Sequence, residues 1–352
     1  MTHPLLNVMR RAASLARQHH PHPNPAVGAV LITDSGAVIG EGAHQKPGMP
    51  HAEIEALKTV EGATTDATMV VTMEPCAHQG RTPPCVDAII DAGIKRVVIG
   101  GIDPDTKVSG RGMERLRQGG ISVIDGVDGF DYEEVDPAYF HHRRTGRPLV
   151  TLKTASTLDG QVAAADGTSQ WITGEDARRD SHRLRAANDV IMVGAGTLIA
   201  DDPRLTAVTP DDDHHQPLPV VVGGARPLPS DARVWSRPHL VVSTETQEPH
   251  DTLVVSPSPD GRPNVIEMMT ALADRGHLSI MVEGGPTLSS ALLHEGLINR
   301  IVCYFAPALG GGVGMGMFGG AFPTLTAMTP LAIESVTMVG ADIKVIATPQ
   351  AS

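Results

Sequence analysis

His51-Ala52-Glu53, followed by Pro75-Cys76 and then Cys85, supplies one imidazole, one carboxylate and two thiols within a short stretch of chain. Hydrolytic zinc chemistry needs these groups. Three protein ligands hold Zn²⁺ and leave a fourth position open for water, while a carboxylate that does not bind the metal moves protons. His51, Cys76 and Cys85 fit the ligand roles, and Glu53 fits the proton shuttle. Zn²⁺ lowers the pKa of its water from about 15.7 to roughly 7, so a nucleophile for an amino-bearing heterocycle exists at neutral pH. The alternative is a zinc that only stabilises the fold, but such a site has no use for a carboxylate beside an open position.

His51 and Glu53 stand two apart, so a regular helix would point them differently. The motif therefore predicts a helix start at which both face one pocket. The Pro75-Cys76 pair predicts a turn entering a helix, whose dipole favours a thiolate. The general deaminase signature closes with Cys-x-x-Cys. Here residues 77–84 separate Cys76 from Cys85, a departure from that spacing.

The surrounding chain alternates strand and helix patterns. Apolar runs at 26–32, 67–73 and 95–100 predict strands. Residues 51–60, with Ile54, Leu57 and Val60 on one side, and residues 84–92 predict helices. In the second half, strands are expected at 149–155, 189–193, 219–222, 239–243, 278–283 and 300–305, and helices at 175–187, 266–275 and 286–295. The class is α/β, with domains at 1–145 and 146–352. Two polar, proline-rich stretches, 208–219 and 245–263, read as surface excursions.

The chain has 352 residues, 41% of them hydrophobic, enough for two cored domains. Its net charge of −12 argues against a nucleic-acid partner, because phosphate backbones call for a basic stripe. No apolar run approaches the roughly 20 residues of a membrane span. Met1-Thr2-His3-Pro4 does not open a secretion signal. Three cysteines make no disulfide framework, and a reducing cytoplasm suits them. Cys303, in an apolar run, reads as a small buried hydrophobe. A small-molecule substrate and a homo-oligomeric assembly are expected.

Two glycine turns in the second half suggest a phosphorylated ligand. Gly284-Gly285-Pro286-Thr287 ends a strand and opens a helix, where free N–H groups attract anions. Gly194-Ala195-Gly196 follows another strand. Ile199 stands where a G-x-G-x-x-G fingerprint would end, so a Rossmann domain is not supported. Ordinary strand-exit geometry is the competing explanation for both turns.

Asn24-Pro25-Ala26-Val27-Gly28, His51-Ala52-Glu53, the segment Glu74-Pro75-Cys76 through Cys85, Asp103-Pro104 and Gly110-Arg111-Gly112 resemble the deaminase half of the RibD family of bifunctional riboflavin-biosynthesis proteins. In that family the longer Cys-to-Cys segment is normal. The resemblance covers nearly all of residues 1–145. It implies a cytidine-deaminase-like three-layer domain acting on 2,5-diamino-6-(5-phosphoribosylamino)pyrimidin-4(3H)-one. Asn24 would read the ring edge, unless it only turns the chain before Pro25. The resemblance also brings His44, His78 and Arg81 to the base or ribose phosphate.

Lys153 through Gly160, Ser169 through Thr173, Asp189 through Thr197, Asp201 through Thr206 and Glu283 through Leu288 resemble the reductase half of that family, related in fold to dihydrofolate reductase. This implies NADPH-dependent reduction of the ribosyl group of 5-amino-6-(5-phosphoribosylamino)uracil to ribityl. The resemblance places Ala155, Trp171, Thr197, Asp201, Gly285, Pro286, Thr287 and Leu288 at NADPH. It places Ser169, Arg185, Leu205 and Glu283 at the substrate, with Arg185 as phosphate clamp. Lys153 and Asp201 would polarise or protonate the sugar. Val208 and Gly223-Gly224 depart from residues common there. The competing expectation is a deaminase of another nucleoside or of a tRNA base, carrying a C-terminal phosphate-binding module.

Overall fold

The structure is a computed structural model that describes residues 4–60, 63–79, 83–105, 109–209, 215–224, 227–312, 314–319 and 323–350. The chain forms two compact units, Met1–Gly146 and Arg147–Ser352.

The first unit runs α1 (Pro4–Ala16), β1 (Gly28–Ile32), β2 (Val38–Ala43), α2 (Ala52–Lys58), β3 (Thr68–Val71), α3 (Cys85–Asp91), β4 (Arg96–Ile99), α4 (Arg111–Gln118), β5 (Ser122–Asp125) and α5 (Pro137–Thr145). The sheet order is β2-β1-β3-β4-β5. β1 is antiparallel to β2 and β3, while β3, β4 and β5 are parallel.

Strand side chains alternate between faces. Leu31, Met69, Val71, Val97 and Ile99 pack with Ala52, Ala56, Val86, Ile89 and Leu116 of α2, α3 and α4. Val30, Val70 and Val98 pack with Leu6, Met9 and Ala12 of α1 on the other face. Both sheet faces are thus covered, which explains why β1 and β3 are buried throughout and carry mostly apolar residues.

The expected helix after His51 forms, but its buried face differs from the Ile54–Leu57–Val60 stripe. Ala52, Glu53 and Ala56 are buried, whereas Ile54 and Leu57 are half-buried. The cause lies across the contact. A Cβ at Gly42 would sit 2.3 Å from the Ala56 nitrogen, so β2 touches the helix backbone itself. Only small residues fit that seam, and Glu53 is carried inward beside them.

Cys76 also departs from expectation. It lies in the loop after β3, and the residue at a helix start is Cys85, behind the N-cap Pro84.

The second unit runs β6 (Leu149–Thr157), β7 (Gln161–Ala163), α6 (Glu175–Ala186), β8 (Val190–Gly194), α7 (Ala195–Asp201), β9 (Leu218–Val222), β10 (Leu240–Ser243), β11 (Thr252–Val254), α8 (Val265–Asp274), β12 (Ser279–Val282), α9 (Pro286–His294), β13 (Arg300–Ala306), β14 (Met315–Gly316), β15 (Leu331–Val339) and β16 (Asp342–Pro349). Its main sheet has the order β11-β10-β9-β8-β12-β6-β13-β16-β15. The strands from β11 to β13 in that order are parallel, and β16 and β15 are antiparallel additions.

β12 comes late in the chain yet inserts between β6 and β8. The chain order therefore reverses there, the position at which open α/β sheets take ligands beyond the carboxyl ends of their strands. Val150, Leu152, Val190, Met192, Ile280 and Val282 pack against Met268, Leu272 and Leu292 below one face. Ile191, Val193 and Val221 pack against Leu198, Leu205 and Val234 on the other.

Two outer features differ from the sequence reading. Segment 245–263 is not wholly a surface excursion, since β11 within it pairs in parallel with β10. The β15–β16 hairpin was not anticipated. Cys303 is half-buried and packs on the main core, and burial pushes its thiol up to about 11.

Candidate functional site

Three elements bring the zinc-type ligands together. His51 precedes α2 in extended backbone, Cys85 is the first residue of α3, and Cys76 lies in the loop between them. The ligand atoms all lie within 4.8 Å of one another. Nδ1 of His51 is 3.6 Å from Cys76 Sγ and 3.3 Å from Cys85 Sγ. Zn–S bonds of about 2.3 Å and Zn–N bonds of about 2.0–2.1 Å at tetrahedral angles put N and S about 3.6 Å apart.

The electrostatics fit the same ion. Cys85 hydrogen bonding, ahead of other causes, brings the Cys76 thiol down to about 4, and that sulfur with burial pushes Cys85 up. Only a cation lets both ionise. One imidazole and two thiolates are a soft, tetrahedral donor set that suits Zn²⁺.

Glu53, 3% exposed, lies in the first turn of α2. Burial, then the Cys76 sulfur, pushes its carboxyl up to about 7. A proton acceptor and donor at neutral pH needs a pKa in that range.

Beside the metal site, His44 is buried. Its Nδ1 is 3.1 Å from the Pro50 carbonyl, and its Nε2 is 3.0 Å from Asn24 Nδ2. A carbonyl can only accept, so Nδ1 carries the proton and Nε2 accepts from the Asn24 amide. Burial lowers the His44 pKa and keeps this neutral tautomer. Asn24 keeps its oxygen and a second N–H for a heterocycle edge. His78 is exposed on the loop between the cysteines. Arg81 lies outside the described residues.

In the second unit, Arg185 and Glu283 form a two-point ion pair. Nε donates to Oε1 at 2.9 Å and Nη2 to Oε2 at 2.6 Å. Arg185 Nη1 also donates to the Thr206 carbonyl at 2.9 Å, next to Leu205. The guanidinium is thus held rigidly, with part of its donor fork left over. Burial would raise the Glu283 pKa, but Arg185 and Lys153 outweigh it and hold the carboxyl at about 2.

Lys153 on β6 sits over the Tyr304 ring at 5.7 Å. Burial lowers its pKa, and Glu283 opposes that. Ser169 Oγ donates to Asp201 Oδ1 at 2.7 Å. Ala155 packs against the Ala177–Val302–Tyr304 cluster.

The glycine turns meet as a pair. A Cβ at Gly285 would find only Thr197 Oγ1, at 3.5 Å, and one at Gly196 would find nothing within 4 Å. Gly285 caps α9 with no side-chain hydrogen bond, and Pro286 follows at the first helical position. This leaves a bare backbone cradle beside Thr287 that fits the phosphates of a dinucleotide. Trp171, 70% exposed, offers an indole face, with the Arg178 guanidinium 4.9 Å over the ring.

Two residues placed at ligands by resemblance turn inward. The Leu205 side chain is buried in the core, and its backbone lies at φ 53°. The Leu288 side chain is also core. Each can meet a ligand only through its main chain.

Sequence reasoning missed three groups. Tyr304 donates to Asp180, which also holds Lys344, both at 2.6 Å, next to Lys153. His182 Nδ1 lies 3.1 Å from the Thr206 carbonyl, and its place less than one turn before Arg185 was the available signal. Glu74 is buried on the loop that carries Cys76.

Comparison with known proteins resolves the class. Residues 3–101 match the cytidine and deoxycytidylate deaminase zinc-binding region, and residues 148–345 match the RibD C-terminal domain. A zinc-deaminase domain is therefore followed by a reductase domain of the dihydrofolate-reductase type. The chain belongs to the RibD family of riboflavin biosynthesis proteins. It is 39% identical to the riboflavin biosynthesis protein RibD of Escherichia coli K12, over 88% of this chain and 89% of that protein. It is 41% identical to the RibD of Mycobacterium tuberculosis H37Rv, over 92% and 90%. The RibD structure from Acinetobacter baumannii superposes with a TM-score of 0.90 at 34% identity, covering 99% of both chains.

The chain is thus both a deaminase and a reductase, with Zn²⁺ and NADPH as cofactors. The expectation of a tRNA or nucleoside deaminase with a mere binding module falls to the RibD C-terminal match. No helix among the described residues is long and apolar enough to cross a membrane.

Glu283→Gln should destabilise the second unit by about 3 kcal/mol at neutral pH, because Arg185 loses its buried counter-charge. The Glu283 pKa is depressed, so the pair's contribution is full above the ordinary carboxyl value of about 4.3. It fades as pH falls toward about 2. Urea denaturation of both proteins at several pH values should show the gap closing in acid.

Proposed function

We propose that this chain carries two consecutive steps of riboflavin biosynthesis. It deaminates 2,5-diamino-6-(5-phosphoribosylamino)pyrimidin-4(3H)-one and reduces the ribosyl group of the resulting 5-amino-6-(5-phosphoribosylamino)uracil to ribityl. The observation that carries this reading is the pairing on one chain of a His51–Cys76–Cys85 ligand set, with Glu53 beside it, and a RibD reductase domain. A structure from Thermotoga maritima bears the name diaminohydroxyphosphoribosylaminopyrimidine deaminase/5-amino-6-(5-phosphoribosylamino)uracil reductase. It matches at 32% identity with a TM-score of 0.87 over 99% of both chains.

Zn²⁺ held by His51, Cys76 and Cys85 supplies the Lewis acid that makes water nucleophilic at neutral pH. Glu53 takes a proton from the attacking water and returns it to the nitrogen of the departing amine. Asn24, fixed by neutral His44, reads the pyrimidine edge, and His78 and Arg81 meet the phosphoribosyl group.

NADPH supplies the reducing equivalents for the second step, against Ala155, Trp171, Thr197, Asp201 and the turn Gly285–Leu288. Arg185 contributes its remaining donors to the substrate phosphate, steadied by Glu283. Ser169 and the Leu205 backbone line the same substrate, and Lys153 and Asp201 deliver or hold the proton at the opening sugar.

The active assembly in this reading is a homo-oligomer in a cytoplasmic setting. Leu331, Ile333, Val336 and Met338 lie on the outermost strand β15 and are 47%, 66%, 59% and 64% exposed. The register shift between Ile333 and Ser335 keeps them on one face. A long edge strand with an apolar row needs a partner, and a second copy supplies one.

Two outcomes follow. Glu53→Gln should retain zinc yet lose about 10²–10⁴-fold in deamination, read as ammonia release, while reduction of the deaminated intermediate continues. Unchanged deamination with zinc retained would remove Glu53 from the mechanism. In sedimentation, the wild-type chain should run as an oligomer and Ile333→Glu as a smaller species; a monomeric wild type overturns the assembly.

A further inference from the structure

Glu74 is a buried carboxylate for which the reaction just described has no use. It is 4% exposed, and among the described residues no lysine or arginine pairs with it. Its oxygens accept three backbone N–H bonds instead. Gly110 donates to Oε2 at 2.9 Å, and Gly112 and Met113 donate to Oε1 at 2.8 and 3.3 Å. These are the opening amides of α4, whose partial positive charge suits an anion. Gly110 adopts φ 78°, which turns its N–H toward the carboxylate and favours glycine there.

The anchor lies two residues from a metal ligand. Pro75 alone separates Glu74 from Cys76, and its ring restricts the backbone between them. α4 also presses on this turn directly. A Cβ at Gly112 would lie 2.0 Å from the Pro75 oxygen and 3.1 Å from Glu74 Cγ. From the other side, the start of α3 holds Cys76. Cys85 N–H points at Cys76 Sγ at 3.3 Å, and Val86 N–H donates to the Cys76 carbonyl at 3.3 Å. The Cys76 sulfur is therefore set between two helix starts, one acting directly and one through Glu74.

We propose that Glu74 is a positioning residue for the metal centre, fastening the Pro75-Cys76 turn to the start of α4 so that the Cys76 sulfur stays within ligand distance of His51 and Cys85. The proposal rests on the zinc reading above. Sulfur anions at this spacing repel each other, so a turn freed from α4 would relax by carrying Cys76 outward and loosening the metal.

The test compares wild type with Glu74→Gln, which keeps the side-chain length but sets an amide N–H₂ against the Gly110 N–H. Zinc release to a chromogenic chelator should be about ten- to hundredfold faster, the usual effect of losing a group that orients a ligand. In the Co²⁺-substituted protein the thiolate-to-metal and d–d absorption should shift. In deamination kcat should fall with KM little changed. A lower melting temperature with wild-type cobalt spectrum and wild-type zinc release would mean that Glu74 only caps α4, and the proposal is overturned. If Glu74→Gln does not fold, Gly112→Ala pushes α4 off the same turn with the carboxylate intact. It should reproduce the cobalt and release changes; wild-type values there also overturn the proposal. A wild-type chain that takes up neither Zn²⁺ nor Co²⁺ sinks the zinc reading itself, whereas metal uptake with unchanged variants sinks only the role of Glu74.

Discussion

The Cys76 and Cys85 sulfurs, within 4.8 Å of each other and of the His51 nitrogen, repel one another once both ionise, and a bound cation resolves that conflict. The first unit is organised around holding them there. β2 meets α2 at Gly42 with no side chain between, which sets where His51 and Glu53 emerge. The start of α3 delivers Cys85 and binds the Cys76 sulfur through a backbone amide. Both sheet faces are buried, so the strand that leads into the Cys76 loop cannot shift without disturbing a packed core. Precise ligand placement follows from elements that have no freedom to move.

The second unit applies the same rule to a different chemistry. Glu283 and the two glycine turns lie where parallel strands end and helices begin. Glu283 leaves β12 and is clamped by Arg185 from α6, and the Gly285 turn opens α9 beside Thr197. Backbone cradles suit a phosphate-bearing cofactor because they present donors without side-chain bulk. The charged pair suits a smaller phosphorylated substrate because a guanidinium already fixed by a carboxylate loses little freedom on binding. One unit thus gathers thiol and imidazole ligands that suit a metal, and the other presents backbone and guanidinium donors that suit phosphates.

Much of this was legible in the sequence because the chemistry needs rare residue types at fixed spacings. His51, Glu53, Cys76 and Cys85 were readable as one site, and the apolar runs marked the central strands of both sheets. What escaped had physical reasons. The stripe of Ile54, Leu57 and Val60 gave only part of the buried face: Leu57 and Val60 do pack on the core, but Gly40 and Gly42, distant in sequence, let the Ala52–Glu53–Ala56 side approach the sheet most closely. The role of Glu74 depends on Gly110 and Gly112, which only the fold brings to it. Leu205 matched a ligand position, yet its side chain is core and its carbonyl accepts from Arg237 at 3.2 Å. The β15–β16 hairpin went unread because its apolar residues point outward, against the usual meaning of an alternating pattern.

If one chain performs the two steps in succession, zinc serves only the first. The direct measurement is NADPH oxidation by metal-stripped protein offered, in separate reactions, the diamino substrate and its deaminated product. Stripped protein should oxidise NADPH with the deaminated compound at the rate of the zinc-loaded enzyme. With the diamino compound it should be inert until Zn²⁺ is restored. Full turnover of the diamino compound without metal, or equal loss of both reactions on stripping, would rule out this division of labour between zinc and the reductase domain.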